Sequence, residues 1–192
     1  MKTRLIALAA SALLATGIAA AQTSTWTIDP AHSQSNFEIR HLGVSNVRGS
    51  ISAVSGKIEW DEKDPSKSSV VADIDTTTIN TTAAARDQHL KSPDFFNVAQ
   101  YPTIHFQSTK VTGTVGRLKV EGNLTLAGVT KPVVLDVDGP VAPQKNQKGT
   151  LISGFEASTI IKRADFNFGP KFAPPALGDE VKITIDVEMD KQ

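Results

Sequence analysis

A two-residue alternation of apolar and polar side chains limits this chain more than any other feature. In the last segment Val181, Ile183, Ile185, Val187 and Met189 interleave with Glu180, Lys182, Thr184, Asp186, Glu188 and Asp190. Successive side chains of a β-strand point to opposite faces, so one face here is wholly apolar and the other mostly charged. Leu118, Val120, Gly122, Leu124 and Leu126 form a second row, Val133, Leu135 and Val137 a third, and Phe155, Ala157, Thr159 and Ile161 a fourth. Weaker rows are Phe37/Ile39, Ile58/Trp60, Val70/Ala72/Ile74 and Ile104/Phe106. Together they predict eight strands, near residues 26–41, 50–61, 68–79, 102–114, 117–128, 131–141, 149–163 and 179–190. Several are joined by short turns with Gly, Pro or Asn, as hairpins require.

Two stretches break the alternation. Thr82 to Lys91 has a helical pattern, with Ala83, Arg86/Asp87 and Leu90 on one face, inside an insert near 82–97. Ser92-Pro93-Asp94 then resembles a helix start, a polar cap followed by Pro at the first position. Residues 164–178 hold three Pro and three Phe and are expected to form a long ordered loop. No repeat, linker or shift in composition divides the chain, which predicts one all-β domain with a short helical insert. Eight sequential antiparallel strands close into an up-and-down barrel or form a sandwich. In a barrel, strands of roughly 11 residues tilted some 35–45° give a wall roughly 27 Å tall. Such a barrel encloses packed side chains or one small ligand, and its apolar rows line the interior. An outer-membrane barrel needs aromatic girdles at both interfaces. Trp26, Trp60 and Tyr101, the only Trp and Tyr present, are too few.

The start of the chain sets the compartment. Lys2 and Arg4 precede an apolar run from Leu5 to Ala15, and small residues follow, ending Ala19-Ala20-Ala21. This is the pattern of a secretory signal peptide. Residues 1–21 are assigned to it, with cleavage after Ala21, export to the periplasm and a domain over 22–192. A bilayer span needs about 20 apolar residues, so no integral membrane span is expected. Without its leader the chain has 171 residues, with 18 Lys+Arg against 20 Asp+Glu and a formal charge of −2. No basic stripe marks a nucleic-acid partner. The chain has no Cys, which removes both a disulfide framework and thiol catalysis; a domain of this size buries enough apolar area without one.

Motifs of catalysis are missing too: no G-x-S-x-G, H-E-x-x-H, C-x-x-C, Walker loop or G-x-G-x-x-G occurs. His32, His41, His89 and His105 are the only His, and their local spacings suggest no converging metal ligands. No catalytic residue, metal site or cofactor is assigned. Phe is more informative. Phe95, Phe96, Phe166, Phe168 and Phe172 fall in the insert and the 164–178 loop, where apolar aromatics must be buried against something. They form either a plug in the barrel end or a lid over an apolar ligand. The lid reading brings Phe95, Phe96, Phe166 and Phe168 together at one opening. Arg86 and His89 then form a polar rim beside them, where a basic residue suits a phosphate or quinone oxygen. Below, an elongated apolar pocket is expected between Phe37, Ile39, Phe106, Leu124, Leu135 and Phe155.

Several blocks resemble one known family. Trp26-Thr-Ile28-Asp29-Pro-Ala-His32-Ser33, followed by Phe37-Glu-Ile39-Arg-His41-Leu42-Gly43-Val44-Ser45, is similar to the opening of YceI-like proteins. So are Arg86-Asp87-x-His89-Leu90-Lys91-Ser92-x-Asp94-Phe95-Phe96, Tyr101-Pro102-x-Ile104-x-Phe106, the block from Gly122 to Val133, and Leu177-Gly178-Asp179-Glu180-Val181. One departure is Asn167, where members often carry Gly after the equivalent of Arg163-x-Asp165-Phe166; Asn tolerates positive φ better than most residues. The resemblance implies a lipocalin-like antiparallel barrel, usually periplasmic, that holds a polyisoprenoid such as an isoprenoid quinone or polyprenyl chain, or a similar amphiphile. It also implies a loose tie to stress responses and no settled reaction.

Three functions compete. A lipid carrier needs a cavity and no catalytic motif. An enzyme acting on a lipid pyrophosphate needs His32, Arg86, His89 and Asp165 within hydrogen-bond reach of one another. A stress-related interaction module needs a filled core. An exposed strand edge or loop leaves a homodimer open.

Overall fold

The computed structural model describes residues 23–192, so the expected leader and its cleavage after Ala21 lie outside the described residues. The alternating rows form β1 (Thr23–Ile28), β2 (Gln34–His41), β3 (Ser45–Ser52), β4 (Val54–Asp61), β5 (Ser69–Asp75) and β6 (Thr103–Thr114). They continue as β7 (Arg117–Leu126), β8 (Val129–Asp138), the two-residue β9 (Gln144–Lys145), β10 (Leu151–Lys162) and β11 (Leu177–Lys191). The single α-helix among the described residues is α1 (Ala84–Lys91). All strand pairs are antiparallel, and β10 on β11 closes the ring.

Eight strand positions make up that ring, because two of them are each shared by two segments. β1 lies against the C-terminal half of β11, with Ile28 opposite Met189, and β2 against its N-terminal half, with Ile39 opposite Val181. β4 pairs with β1 and β3 with β2 in the same way. The predicted strand 26–41 is therefore interrupted at Asp29–Ser33, where Pro30 has no N–H to give a ladder. Its neighbour begins at Ser45, earlier than residue 50, and kinks at Ala53, whose φ is +57°. The outcome is the predicted all-β architecture, a closed eight-stranded antiparallel barrel with one short helix. Ser92 to Phe96 starts no second helix. It runs through consecutive turns held by Phe95 N–H to Ser92 O and Phe96 N–H to Leu90 O, both 3.0 Å.

The pleat sorts side chains as the alternation requires. On β11, Val187 and Met189 are buried while Lys182 and Asp186 are exposed. On β7 the inward row contains Gly122, and the Phe106 ring of β6 lies across it where a Cβ would overlap the ring. Glycine there lets a large aromatic side chain face the interior. The strand registers put the 76–102 insert, the 163–176 loop and the β7–β8 turn at one end of the barrel. Both described termini, the 62–68 loop and the 139–150 excursion lie at the other.

Candidate functional site

The inward rows do not fill the barrel. They leave a cavity of about 150 Å3 that runs along the interior from Ile104, Leu126 and Ile161 down to Val111 and Pro140. Its lining contains no charged residue, and its polar members are only Ser35, Ser68, Ser69 and Thr159. Ile183 and Ile185 point inward yet are only half-buried, because they border this space rather than packed side chains. Phe106, Leu124, Leu135 and Phe155 line the cavity. Phe37 and Ile39 do not. The break at Asp29–Ser33 lifts β2 along β11, so the inward row of β2 passes from Ser35 in the lining to Phe37 and Ile39 beyond it. There the Phe37 ring and the Thr81 methyl both lie against Gly49, where a Cβ would overlap them.

The two irregular segments meet over one end. Phe95 and Phe172 stack with ring centroids 5.2 Å apart, Phe96 meets Phe168 edge-on at 4.7 Å, and Phe95 lies 5.5 Å from Phe168. His89 stands edge-on to both Phe95 and Phe172, at 5.1 and 5.5 Å. Phe166 is buried in the main core and makes no ring contact with the other four, so Phe172 takes the place expected for it. Lys171 of the loop bonds Asp94 of the insert at 2.7 Å, tying the two segments together. None of these Phe lines the cavity.

Arg86 is exposed on α1 and bonds back to its own segment through two of its three nitrogens. Its Nε donates to Thr81 Oγ1 and a terminal nitrogen to Thr81 O, both 2.7 Å, while Asp87 accepts from the Thr81 N–H at 2.8 Å. Thr81 is 1% exposed, so this clamp seats the insert on the barrel. His89 is hydrogen-bonded to Asp94 at 3.3 Å. His32 lies away from both, at the Asp29–Ser33 break beside Glu188, and Asp165 is exposed in the turn after β10. The four groups an enzyme reading required do not form one hydrogen-bonded set.

Sequence reasoning missed the residue that organises the loop. Arg163 is 4% exposed and donates to the carbonyls of Phe168, Gly169, Phe172, Leu177 and Gly178, so one guanidinium satisfies five backbone acceptors. A lone Arg in Arg-Ala-Asp-Phe has the pattern of a surface residue, and nothing local marks it as buried.

The chain and its fold have counterparts among known proteins. The YceI-like domain profile matches residues 26–189. The chain belongs to the YceI-like family. Protein YceI of Salmonella arizonae is 39% identical over 93% of this chain and 92% of that protein. The crystal structure of a YceI protein from Campylobacter jejuni has a TM-score of 0.71 at 32% identity, covering 80% of this chain and 90% of that one. A polyisoprenoid binding domain from Saccharophagus degradans, implicated in plant cell wall breakdown, shares the fold at 16% identity, with a TM-score of 0.64. It covers 87% of this chain and 98% of that domain.

Within this YceI-like chain, Asn167 takes φ +52° and ψ +33°, the left-handed cap position that the departure from Gly put in question. The Asp29-Pro-Ala-His32-Ser33 block builds the break in the barrel wall. Asp29 accepts from Ala31 N–H at 2.8 Å and meets His32 Nδ1 at 2.7 Å, while Ser33 Oγ bridges to the backbone of Glu188. Asp29, His32 and Glu188 bring potential ligand atoms within 4.8 Å of one another, the group most suited to a metal ion among the described residues. The contacts present already explain it as an ion pair. The hydrogen bond to Asp29, then the charges of Asp29 and Glu188, raise the His32 pKa above its ordinary 6.5. The same bond lowers Asp29 below 3.8. His32 therefore stabilises the fold below pH 6.5 and loses that contribution as pH rises through its raised value. Asp29 contributes above pH 3.8 and loses it as pH falls through its lowered value. The His32→Gln variant is expected to lose a small rise in melting temperature between about pH 8 and about pH 6. Parallel pH profiles for the two proteins would count against the pair.

Proposed function

We propose that this YceI-like protein is an exported binding protein, not an enzyme, that holds a polyisoprenoid or similar long-chain amphiphile inside its barrel. The observation that carries this reading is the cavity, about 150 Å3 and without a charged lining residue. An interior so lined suits an apolar tail, and it holds no carboxylate, imidazole or amine to act as acid or base or to activate one of its four hydroxyls. A filled core, which the interaction-module reading needs, is not what the barrel has. The polyisoprenoid binding domain that shares the fold adds support. The signal-like leader supports a periplasmic location, and among the described residues no helix is long and apolar enough to cross a membrane.

Magnitudes limit the tail. At about 10–15 Å3 of cavity per water-sized group, the interior takes roughly ten to fifteen such groups, or about two to three isoprene units. Burying one CH₂ contributes about 0.8 kcal/mol, so each unit gives about 3–4 kcal/mol. Two to three units therefore give about 6–12 kcal/mol, comparable to an association cost of about 4–15 kcal/mol, so any surplus contributed by a head group decides how tight binding is. Affinity for a series of prenols is expected to rise with each unit up to about two or three and then level off. Titration of that series measures it, and an affinity independent of chain length would count against an interior site. The decisive experiment is native mass spectrometry of protein purified from its own host, followed by organic extraction. A bound prenyl lipid is expected; protein repeatedly free of any lipid would overturn the reading.

A further inference from the structure

We propose that the tail enters and leaves through a lateral seam between β5 and the lower half of β6, and not through the Phe-capped end. This route rests on the lipid-binding reading above. The seam follows from strand pairing. β5 and β6 pair from Asp75/Thr103 only as far as Val71/Gln107. Below that point β6 continues to Thr114 with β7 as its sole partner, after a register shift between Ser108 and Lys110. The next N–H on β5, that of Val70, turns to the Ser108 side-chain oxygen at 2.9 Å instead of a β6 carbonyl. The wall therefore lacks a backbone ladder along this stretch, and the short 62–68 loop, which packs against both β4 and β6, is the element that covers it.

The cavity reaches the same place. Ser68, Ser69 and Val70 on one side and Val111 on the other belong to its lining. Ser69 borders the cavity through the wall while its own side chain lies on the exposed outer face of β5, so the wall beside the gap is one residue thick. The opposite end is closed by contrast. Phe95, Phe96 and Phe166 are 8%, 7% and 2% exposed, and the loop that carries Phe166 is tied down by the five bonds from Arg163. At the lower end the β6–β7 turn is fastened by Gly116 N–H to Gly139 O at 2.9 Å, and Ser153 holds Val141 O at 2.7 Å. Opening the seam breaks no ladder hydrogen bond; opening the Phe-capped end uncovers packed aromatics and buried carbonyls.

Because the chain has no Cys, a single introduced thiol can be labelled alone. Ser69→Cys at the seam and Ala173→Cys beside the aromatic cap are both at exposed positions. Each is modified with a bulky, reducible thiol label, and exchange of a dansyl-tagged farnesyl probe is followed by energy transfer from Trp60, which lines the cavity. An obstacle on the route raises the barrier for both directions, so labelled Ser69→Cys is expected to take up and release the probe roughly tenfold more slowly with little change in Kd. Reduction of the label should restore both rates, which separates obstruction from misfolding. Labelled Ala173→Cys should exchange at the rate of the unlabelled protein. Unchanged rates for labelled Ser69→Cys, or equal or greater slowing for labelled Ala173→Cys, would overturn the seam and leave the lipid-binding reading standing. Failure of the unlabelled protein to take up any probe would overturn both.

Discussion

Replacing Arg163 with Met is expected to remove about 3–5 kcal/mol of folding stability, the loss typical of breaking a buried charged interaction. Met keeps most of the side-chain volume but donates nothing. The carbonyls of Phe168, Gly169, Phe172, Leu177 and Gly178 then lose a common donor. Each buried acceptor left unpaired costs about 1–3 kcal/mol. The sum overstates the effect, because a released loop turns some of these carbonyls to water. What remains is a large part of the roughly 5–15 kcal/mol that holds a domain together. Among the described residues no carboxylate pairs with Arg163, so the loss reflects the loop geometry and not an ion pair. Arg163→Lys should recover little, since one ammonium cannot reach acceptors spread over the eleven residues from Phe168 to Gly178. Chemical denaturation measures the global effect, and amide hydrogen exchange over 164–178 measures local opening. A loss under about 1 kcal/mol with exchange unchanged would show that the loop is held by its aromatic packing alone.

That dependence was hidden in the sequence, whereas most of the barrel was legible there. Alternation is a local signal, and Val181 to Met189 or Leu118 to Leu126 show their inward faces in any context. The break in the first strand was less visible, because Trp26/Ile28 and Phe37/Ile39 each fit a strand on their own. Only the observed ladder shows that they serve different halves of β11. For the same reason Phe37 and Ile39 were expected in a cavity that they lie beyond. The aromatic cap was legible from a conflict, Phe in loops that are otherwise polar, and the conflict resolves by burial. The choice of Phe172 over Phe166 depends on how the loop turns at Asn167, which no periodicity encodes. Arg86 has a structural role that its position did not announce. A basic side chain on a short helix near an expected opening suggests a ligand contact, and its Nε and one terminal nitrogen also bond Thr81 five residues before it. The seam was not legible: strands of near-equal length were expected over 68–79 and 102–114, whereas β5 has seven residues beside a twelve-residue β6.

Leu135→Trp is expected to weaken binding of a prenyl probe roughly a hundredfold while leaving the barrel folded. Leu135 lies midway along β8, faces the cavity and is half-buried because open space, not packed atoms, lies in front of it. The larger indole takes up room that about one isoprene unit would otherwise occupy. Losing that unit forfeits about 3 kcal/mol of tail burial, close to two decades in Kd. In a tightly packed core the same substitution would cost about 1–3 kcal/mol of stability through overpacking. Here new contacts with the cavity wall offset that cost, so the denaturation midpoint should hold or rise. Val134 provides the control. It is the neighbouring residue on the same strand, faces outward and is 46% exposed, so Val134→Trp adds the same bulk outside the wall. The expected pattern is loss of binding with stability kept for Leu135→Trp, and no change in binding for Val134→Trp. A sharp loss of stability in Leu135→Trp would mean that the interior is already packed and that its apolar rows serve the fold alone. Unaltered binding with stability kept would move the ligand out of the barrel altogether.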